Sequence, residues 1–170
     1  VGEILRRELP GVFISLSIDV LSEIREYERT STTVVNAYLG PIIKGYIDSL
    51  LRQLRESGIS APVRIMQSNG GVMSAAKAAE APVHIVESGP AAGVVAAHQL
   101  GKRSGEPNII SFDMGGTTAK ASLIREGTPS MLSMLEVGAE ATGFFGVRIT
   151  GLPIKAPSID LVECSAGGGS

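Results

Sequence analysis

The sequence is poor in the residues that build disulfides and zinc sites. It has one cysteine, two histidines and no tryptophan among 170 residues. A single cysteine, Cys164, excludes an internal disulfide and is compatible with a reducing, cytoplasmic compartment. One thiol and two imidazoles are too few for the four-ligand Cys/His zinc sites of small domains.

The sequence also lacks a long hydrophobic run and a strong charge of either sign. No apolar segment approaches the roughly 18 residues that a membrane-spanning helix needs. The formal net charge of −2 gives no reason to expect nucleic acid or an anionic membrane surface as a partner. With 44% hydrophobic residues, the composition is that of an ordinary globular domain, which buries roughly 70% of its unfolded surface.

The two ends of the sequence lack the features of a complete protein. The chain begins without methionine and without a signal peptide, and it stops on Gly-Gly-Gly-Ser. We therefore expect the chain to be a piece of a longer polypeptide.

The pattern along the chain mixes helices and short strands, which favours an α/β fold. One long helical pattern follows Thr30–Thr33 and is expected to break at Gly40-Pro41, because proline cannot donate the helical hydrogen bond. Shorter helices are expected over 1–9, 74–81 and 88–100, and strands over 12–18, 62–67, 82–87, 130–137, 154–157 and 159–163.

The most informative stretch is I-I-S-F-D-M-G-G-T-T-A-K-A-S-L-I, Ile109–Ile124. It predicts a buried strand, a tight glycine turn and a second strand. Gly115 and Gly116 would allow positive φ and close backbone approach, so that N–H groups point out of the turn. Asp113 ends the first strand and faces the turn. Such donors suit phosphate, and such a carboxylate suits hydrated Mg²⁺.

An ordinary hairpin explains the same residues. In that interpretation the two glycines form a reverse turn and Asp113 caps it. The hairpin residues alone do not separate the two alternatives.

The segment before this hairpin favours the first interpretation. Ser88–Leu100 predicts a helix with Pro90 in its first turn and small residues at Gly89 and Gly93, which would let another backbone approach closely. The order of small-residue helix, linker, strand, D-x-G-G-T turn and strand resembles the connecting helix and second phosphate loop of the actin-like ATPase superfamily.

Within that superfamily, the chain resembles the hydantoinase A/5-oxoprolinase family along nearly its whole length. Five segments in the family's order carry the resemblance. They are E-I-R-E-Y-E-R-T-S-T-T-V-V-N-A-Y-L (Glu23–Leu39), Q-S-N-G-G-V-M-S (Gln67–Ser74), S-G-P-A-A-G-V (Ser88–Val94), D-M-G-G-T-T-A-K (Asp113–Lys120) and A-G-G-G-S (Ala166–Ser170).

The resemblance implies an α/β fold of the actin-like ATPase (ribonuclease H-like) type, incomplete here, with a mixed sheet and flanking helices. Residues 1–81 would end the first lobe and supply connecting helices. Residues 82–170 would start the second ATPase lobe, with the connecting helix and the phosphate-loop hairpin. Both parts would be truncated.

The resemblance also implies an ATP-dependent hydrolase that opens cyclic amides of the hydantoin, N-methylhydantoin or 5-oxoproline type. ATP would phosphorylate the carbonyl oxygen, and water would then open the ring. ATP and Mg²⁺ are the implied cofactors. The implied partners are a small cyclic amide and a hydantoinase B-type subunit or domain. We expect the isolated chain to be inactive, because one phosphate loop and the adenosine pocket are missing.

The resemblance places the expected site residues on this sequence. Asp113 would hold Mg²⁺ and act in catalysis together with Lys120. Lys120 stands where many superfamily loops have an acidic residue, as in D-x-G-G-T-x-x-D, and could contact phosphate directly. The expected cofactor-binding residues are Gly115, Gly116, Thr117, Thr118 and Gly89.

Three further residues are expected to contact the substrate. Ser68 and Asn69 follow a short strand, at the edge where open α/β sheets bind ligands. The residues of this turn alone favour a plain Asn-Gly reverse turn, and the family resemblance is what points Ser68 or Asn69 toward the cleft. Arg29 belongs to the E-I-R-E-Y-E-R segment of the family and could face a substrate or phosphate.

Two other functions fit the same resemblance. The chain could belong to an ATP-binding subunit of an acetone- or acetophenone-type carboxylase. It could also be a non-catalytic actin-like ATPase module, in which nucleotide drives domain closure.

Overall fold

The computed structural model describes residues 1–138, 151–164 and 167–169. Ala166 and Ser170, two residues of the glycine-rich end, lie outside these residues. The chain forms two compact units. Unit 1 is built from Val1–Ile65, Met73–Val83 and the described part of Met134–Ala156, and unit 2 from Met66–Val72, His84–Ser133 and the described part of Pro157–Ser170. The expected division near residue 82 stays a prediction.

Helices and short strands alternate along the chain. The helices are α1 (Gly2–Glu8), α2 (Ser17–Val20), α3 (Glu26–Glu56), α4 (Ala75–Glu80) and α5 (Ser88–Ser104), with a 3₁₀ helix over Pro82–Ile85. The strands are β1 (Arg64–Met66), β2 (Val72–Ser74), β3 (Ile109–Met114), β4 (Ala119–Arg125), β5 (Thr128–Pro129), β6 (Met131–Leu132), β7 (Leu135–Val137), β8 (Leu152–Ile154), β9 (Ser158–Ile159) and β10 (Val162–Cys164).

Helix α3 dominates unit 1 and runs unbroken for 31 residues, so the predicted break at Gly40-Pro41 is wrong. Pro41 removes only one helical hydrogen bond. Gly40 meanwhile lets the ring of Phe13 lie directly on the helix, in space that any Cβ would occupy. Packing of this ring beside Pro41 helps to offset the lost hydrogen bond.

A buried asparagine holds three segments of unit 1 together. Asn36 on α3 has no exposed surface. Its side-chain amide donates to Ser15 Oγ at 3.0 Å and to the carbonyl of Glu80 at 3.2 Å. Its Oδ1 accepts from the N–H of Val83 at 3.3 Å. Both the nitrogen and the oxygen of the Asn36 side chain are therefore hydrogen-bonded, and a buried amide that is hydrogen-bonded costs little folding free energy.

These contacts explain why two predicted strands are absent. Residues 13–16 have no regular structure and lead into α2, since Phe13 packs on α3 and Ser15 binds Asn36. Pro82–Ile85 forms a 3₁₀ helix because Asn36 takes the N–H of Val83 that a strand ladder would use. In both segments, contacts made by a side chain take the place of the hydrogen bonds to a neighbouring strand that a β-strand would form.

The core of unit 2 forms where α5 covers one face of a small antiparallel sheet. The sheet has the order β10-β4-β3, and β5 pairs with the far end of β4. Its fully buried residues are Ala91 and Val94 of α5 with Ile124 and Ile159. Small and branched side chains thus let the helix lie close to the strands.

The opposite face of this sheet is apolar and exposed. Ile110 and Phe112 of β3 are 71% and 64% exposed, and Val162 of β10 is 71% exposed. No helix in the described residues is both long enough and apolar enough to cross a membrane.

We predict that Asn36→Ala destabilises the chain by about 2–3 kcal/mol, because it leaves the buried N–H of Val83 without its partner and removes two partly buried hydrogen bonds, to Ser15 Oγ and to the Glu80 carbonyl. Urea unfolding followed by circular dichroism measures this change. Val34→Ala on the same helix is the control, because Val34 is 58% exposed, and it should change the free energy of unfolding by less than about 0.5 kcal/mol. Equal effects of the two substitutions would contradict a structural role for Asn36.

Candidate functional site

The predicted hairpin is present, and its turn is closed by one internal hydrogen bond. Strands β3 and β4 pair from Ile109 with Ile124 to Met114 with Ala119. The N–H of Gly115 donates to the carbonyl of Thr118 at 2.9 Å. The N–H of Gly115 is thus not available to a ligand, and it drops out of the set of backbone amides that the sequence suggested for phosphate binding.

The next two amides of the turn are available. Among the described residues, the N–H groups of Gly116 and Thr117 donate to no acceptor, and both residues are exposed. A Cβ added to Gly116 would meet no described atom within 4 Å outside its immediate chain neighbours, so this part of the structure leaves open space beside the turn. Neither Gly115 nor Gly116 adopts the positive φ that the sequence suggested. The glycines serve to keep the turn accessible.

Asp113 lies one residue before the end of β3, directly opposite Lys120 of β4. Opposite residues of an antiparallel pair place their side chains on the same face. The Asp113 carboxylate is exposed and has no hydrogen bond or ion pair among the described residues. It is therefore an unused anionic oxygen donor next to the turn.

A groove of about 420 Å³ runs between α5 and β3, and both Asp113 and Lys120 contribute to its wall. On α5 its lining includes Gly93, Ala97 and Gly101, which are four residues apart and share one face. No described atom lies within 4 Å of a Cβ added to Gly93 or Gly89, so the expected close approach of another backbone is not seen in this part of the chain.

Lys120 is already paired with two carboxylates. Its Nζ lies 2.6 Å from Oε2 of Glu87 and 3.3 Å from Oε2 of Glu163. The side chain of Lys120 is 17% exposed and that of Glu87 is 22% exposed. The positive charge of Lys120, which the sequence suggested for direct contact with phosphate, is thus balanced by two carboxylates of the protein.

The two carboxylates also set the protonation of this lysine. Partial burial alone would lower the pKa of Lys120, but the hydrogen bonds to Glu87 and Glu163 and their negative charges outweigh it and raise the pKa above the usual 10.5. Lys120 is therefore positively charged throughout the physiological range.

The expected substrate residues have internal partners. Ser68 is 2% exposed. Its Oγ accepts from the N–H of Glu87 at 3.1 Å, and its carbonyl accepts from the N–H of Ile159 at 2.8 Å. Asn69 is exposed, but its Oδ1 accepts from the N–H of Gly71 at 2.8 Å and closes the turn. Ser68 therefore helps to place Glu87, and Asn69 shapes a turn.

The remaining two expected residues lie on helices. Arg29 belongs to α3 of unit 1, and its guanidinium donates to Ser17 Oγ at 2.6 Å. Gly89 lies in the first turn of α5 and is exposed.

Two residues of this site were not predicted. Glu87 immediately precedes α5, which the sequence could have pointed to, because acidic groups are favoured at helix N-termini. Glu163 pairs opposite Lys120 only through the register of β10 on β4. No local pattern in the sequence reveals that register.

The arrangement fits a phosphate and a hydrated magnesium ion. Two free amides in an exposed glycine turn suit phosphate oxygens. No cluster of three or more His, Cys, Asp or Glu side chains in the described part of the chain could hold a metal. Asp113 alone matches the way Mg²⁺ binds to one or two carboxylates and completes its shell with water and substrate phosphates.

We predict that the Lys120 ion pairs stabilise the chain only while the lysine is charged. Because the folded pKa is raised, this stabilisation is complete below the unfolded pKa near 10.5 and is lost as pH rises through the folded pKa. Lys120→Met should lower the free energy of unfolding by about 1–2 kcal/mol at pH 8, and the difference from wild type should shrink above pH 10.5.

Urea unfolding of both proteins between pH 8 and pH 11.5 measures that difference. Other lysines and tyrosines titrate in both proteins and cancel in the comparison. A constant difference across this range would contradict the prediction.

Comparison with known proteins gives matches over nearly the whole chain. An uncharacterized protein of Methanocaldococcus jannaschii, MJ0964, is 41% identical over 99% of this chain and 25% of its own length. The alpha subunit of caprolactamase from Pseudomonas jessenii is 36% identical over 98% of this chain and 22% of its own length. The chain therefore spans about a quarter of the length of these relatives.

Comparison with solved structures identifies the fold. The crystal structure of the ATP-dependent caprolactamase from Pseudomonas jessenii matches with a TM-score of 0.72 and 35% identity, over 98% of this chain and 22% of that one. A nucleotide-free acetone carboxylase structure matches with a TM-score of 0.69 and 25% identity, over 89% of this chain and 19% of that one. The predicted α/β fold of the actin-like ATPase type is confirmed.

The sequence profile described as Hydantoinase/oxoprolinase matches residues 29–170. This match covers more than half of the chain, and the chain belongs to the hydantoinase/oxoprolinase family.

Proposed function

We propose that this chain is the phosphate-binding part of an ATP-dependent enzyme that opens a cyclic amide of the hydantoin, N-methylhydantoin or 5-oxoproline type. The observation that carries the proposal is the exposed turn with free amides at Gly116 and Thr117, beside the unpaired carboxylate of Asp113. The relative named caprolactamase supports a ring amide as the substrate class.

The reaction needs activation because an amide carbonyl is a poor electrophile. When bound, ATP would supply a phosphoryl group to the carbonyl oxygen, with ADP as the leaving group. Water would then add to the activated carbon, the C–N bond would break as the nitrogen takes up a proton, and a second water would release inorganic phosphate. The protein's task is then positioning and charge stabilisation, since no nucleophilic side chain is required.

Each residue of the turn has a distinct part in this task. The N–H groups of Gly116 and Thr117 would bind phosphate oxygens, and the hydroxyls of Thr117 and Thr118 would assist. Asp113 would hold Mg²⁺, directly or through water, close to those oxygens. The open space beside Gly116 gives the phosphate room to approach the backbone.

A carboxylase is the second candidate, favoured by the structural match to acetone carboxylase. There the same turn would bind ATP for activation of a ketone or bicarbonate. The turn does not distinguish an amidohydrolase from a carboxylase, because in both proposals it binds phosphate and metal and not the organic substrate.

We also propose that the enzyme works with a partner subunit or domain of the hydantoinase B type. The caprolactamase relative is named as an alpha subunit, which supports a second component. A cyclic amide pocket would then be completed by residues beyond this chain.

ATP consumption by the full-length enzyme with its partner distinguishes these functions. We expect ADP release to depend on a cyclic amide, tested with hydantoin, 5-oxoproline and caprolactam. Release that depends on a ketone and bicarbonate would establish the carboxylase. ADP release at the same rate with and without each of these substrates would favour a non-catalytic ATPase module and contradict our proposal.

We predict that Gly116→Ala keeps the fold but weakens Mg·ATP binding in the full-length enzyme. The new methyl group would enter open space, so the melting temperature should change by less than about 2 °C, while the phosphate loses its approach to the amides. Asp113→Asn should reduce kcat/KM for ATP by about 100-fold or more.

Gly45→Ala on α3 is the matched control. No described atom beyond the adjacent backbone of its own helix lies within 4 Å of its new Cβ, and the substitution should leave ATP use unchanged. Calorimetric titration with Mg·ATP and steady-state kinetics measure these effects. Unchanged nucleotide affinity in Gly116→Ala would contradict the assignment of the turn.

A further inference from the structure

A second glycine turn stacks on the proposed phosphate turn. The N–H of Gly168 donates to the carbonyl of Gly115 at 3.0 Å, and the N–H of Gly169 donates to the carbonyl of Gly116 at 2.9 Å. A Cβ added to Gly167 would lie 2.6 Å from three backbone atoms of Gly116 and Thr117. The two backbones therefore touch, and only glycine fits at position 167.

These hydrogen bonds fix the direction of the free amides. The carbonyl of Gly115 and the N–H of Gly116 belong to one peptide unit, and the carbonyl of Gly116 and the N–H of Thr117 belong to the next. In a planar trans peptide the C=O and N–H groups point in opposite directions. A donor that holds each carbonyl therefore aims the attached N–H away from the second turn.

Lys120 ties the strand before this second turn to the rest of the unit. Glu163 lies on β10, directly opposite Lys120, and its carboxylate is 3.3 Å from Nζ. Glu87 adjoins α5 and binds the same Nζ at 2.6 Å. Without the lysine, two carboxylates would face each other and repel, and β10 would lose its side-chain anchor.

We propose that Lys120 is a positioning residue. It holds β10 through Glu163, and so keeps the Gly167–Gly169 turn stacked on the Gly115–Thr117 turn with the N–H groups of Gly116 and Thr117 aimed at a phosphate. This inference rests on the proposed function, and it assigns Lys120 no direct contact with ATP.

Hydrogen exchange on the 170-residue chain tests the stacking independently of nucleotide. In Lys120→Met and Glu163→Gln, the Gly168 and Gly169 amides should exchange about 10-fold faster relative to the amides of β3, which pair with β4 and report on global unfolding. Lys120→Arg keeps the charge and should restore slow exchange. Unchanged exchange at Gly168 and Gly169 in Lys120→Met would overturn the inference and leave the proposed function intact.

A matched glycine pair tests the contact itself. Gly167→Ala should release the second turn and speed exchange at Gly168 and Gly169 as Lys120→Met does. Gly168→Ala should not, because its Cβ would lie 3.8 Å from Met114 Sδ, an ordinary contact. Equal effects of the two substitutions would overturn the stacking argument.

Kinetics of the full-length enzyme test the link to phosphate. Positioning predicts that Lys120→Met and Glu163→Gln each raise KM for Mg·ATP about 10-fold, with kcat changed less than about 3-fold, and that Lys120→Arg recovers most of the loss. A lysine that contacts the phosphate predicts instead that Glu163→Gln leaves KM unchanged or lowers it, which would overturn the inference. A wild-type enzyme that binds no Mg·ATP would overturn the proposed function and this inference with it.

Discussion

The hydrogen bonds from Gly168 and Gly169 to the carbonyls of Gly115 and Gly116 are the contact on which the site depends. They use two carbonyl oxygens that would otherwise repel an anion. Because each peptide unit is planar, they also set the direction of the N–H at its other end. The result is a turn that presents two backbone N–H donors, and successive N–H donors of this kind are the physical basis of anion binding by such turns.

This contact explains the glycine content of both turns. Gly167 lies against backbone atoms of Gly116 and Thr117, where a side chain has no room. Gly116 has open space on its own side, which the proposed phosphate would occupy. One glycine therefore permits protein packing, and the other leaves the turn accessible. Neither needs the left-handed conformation that glycine is often chosen for.

Charge balance around the turn follows from the same arrangement. Asp113, Glu87 and Glu163 place three carboxylates near one face of the sheet, and a polyphosphate would add more negative charge. Lys120 neutralises part of this charge from within the protein. Lys120 thus acts as an internal counter-ion for Glu87 and Glu163, while Asp113 has no ion pair among the described residues and would be available to the proposed metal.

Each unit has its own buried contacts. Unit 2 has a core of small and branched apolar side chains between α5 and its sheet. Unit 1 buries apolar residues such as Ile47 and Ile154 together with polar groups of α3. Besides Asn36, Thr32 is 1% exposed, and its Oγ1 donates to the carbonyl of Glu28 at 2.6 Å and accepts from the N–H of Lys155 at 2.9 Å. These polar contacts hold segments that have no strand partner.

The sequence by itself determined the elements whose signals are local. The glycine turn between two strands, α5 with Pro90 in its first turn, and the helical pattern around Ile47 all depend on neighbours within a few residues. Motif order was enough to identify the family and the fold. The metal and phosphate roles assigned to this turn stay predictions.

Only the tertiary structure decided how distant segments meet. The register of β10 on β4 places Glu163 opposite Lys120, and the backbone of Gly167 stacks on that of Gly116. Asn36 hydrogen-bonds to the two segments where the sequence suggested strands. The physical reason is that a strand register or a hydrogen bond between residues more than 20 positions apart depends on how whole elements pack, and no short sequence window contains that information.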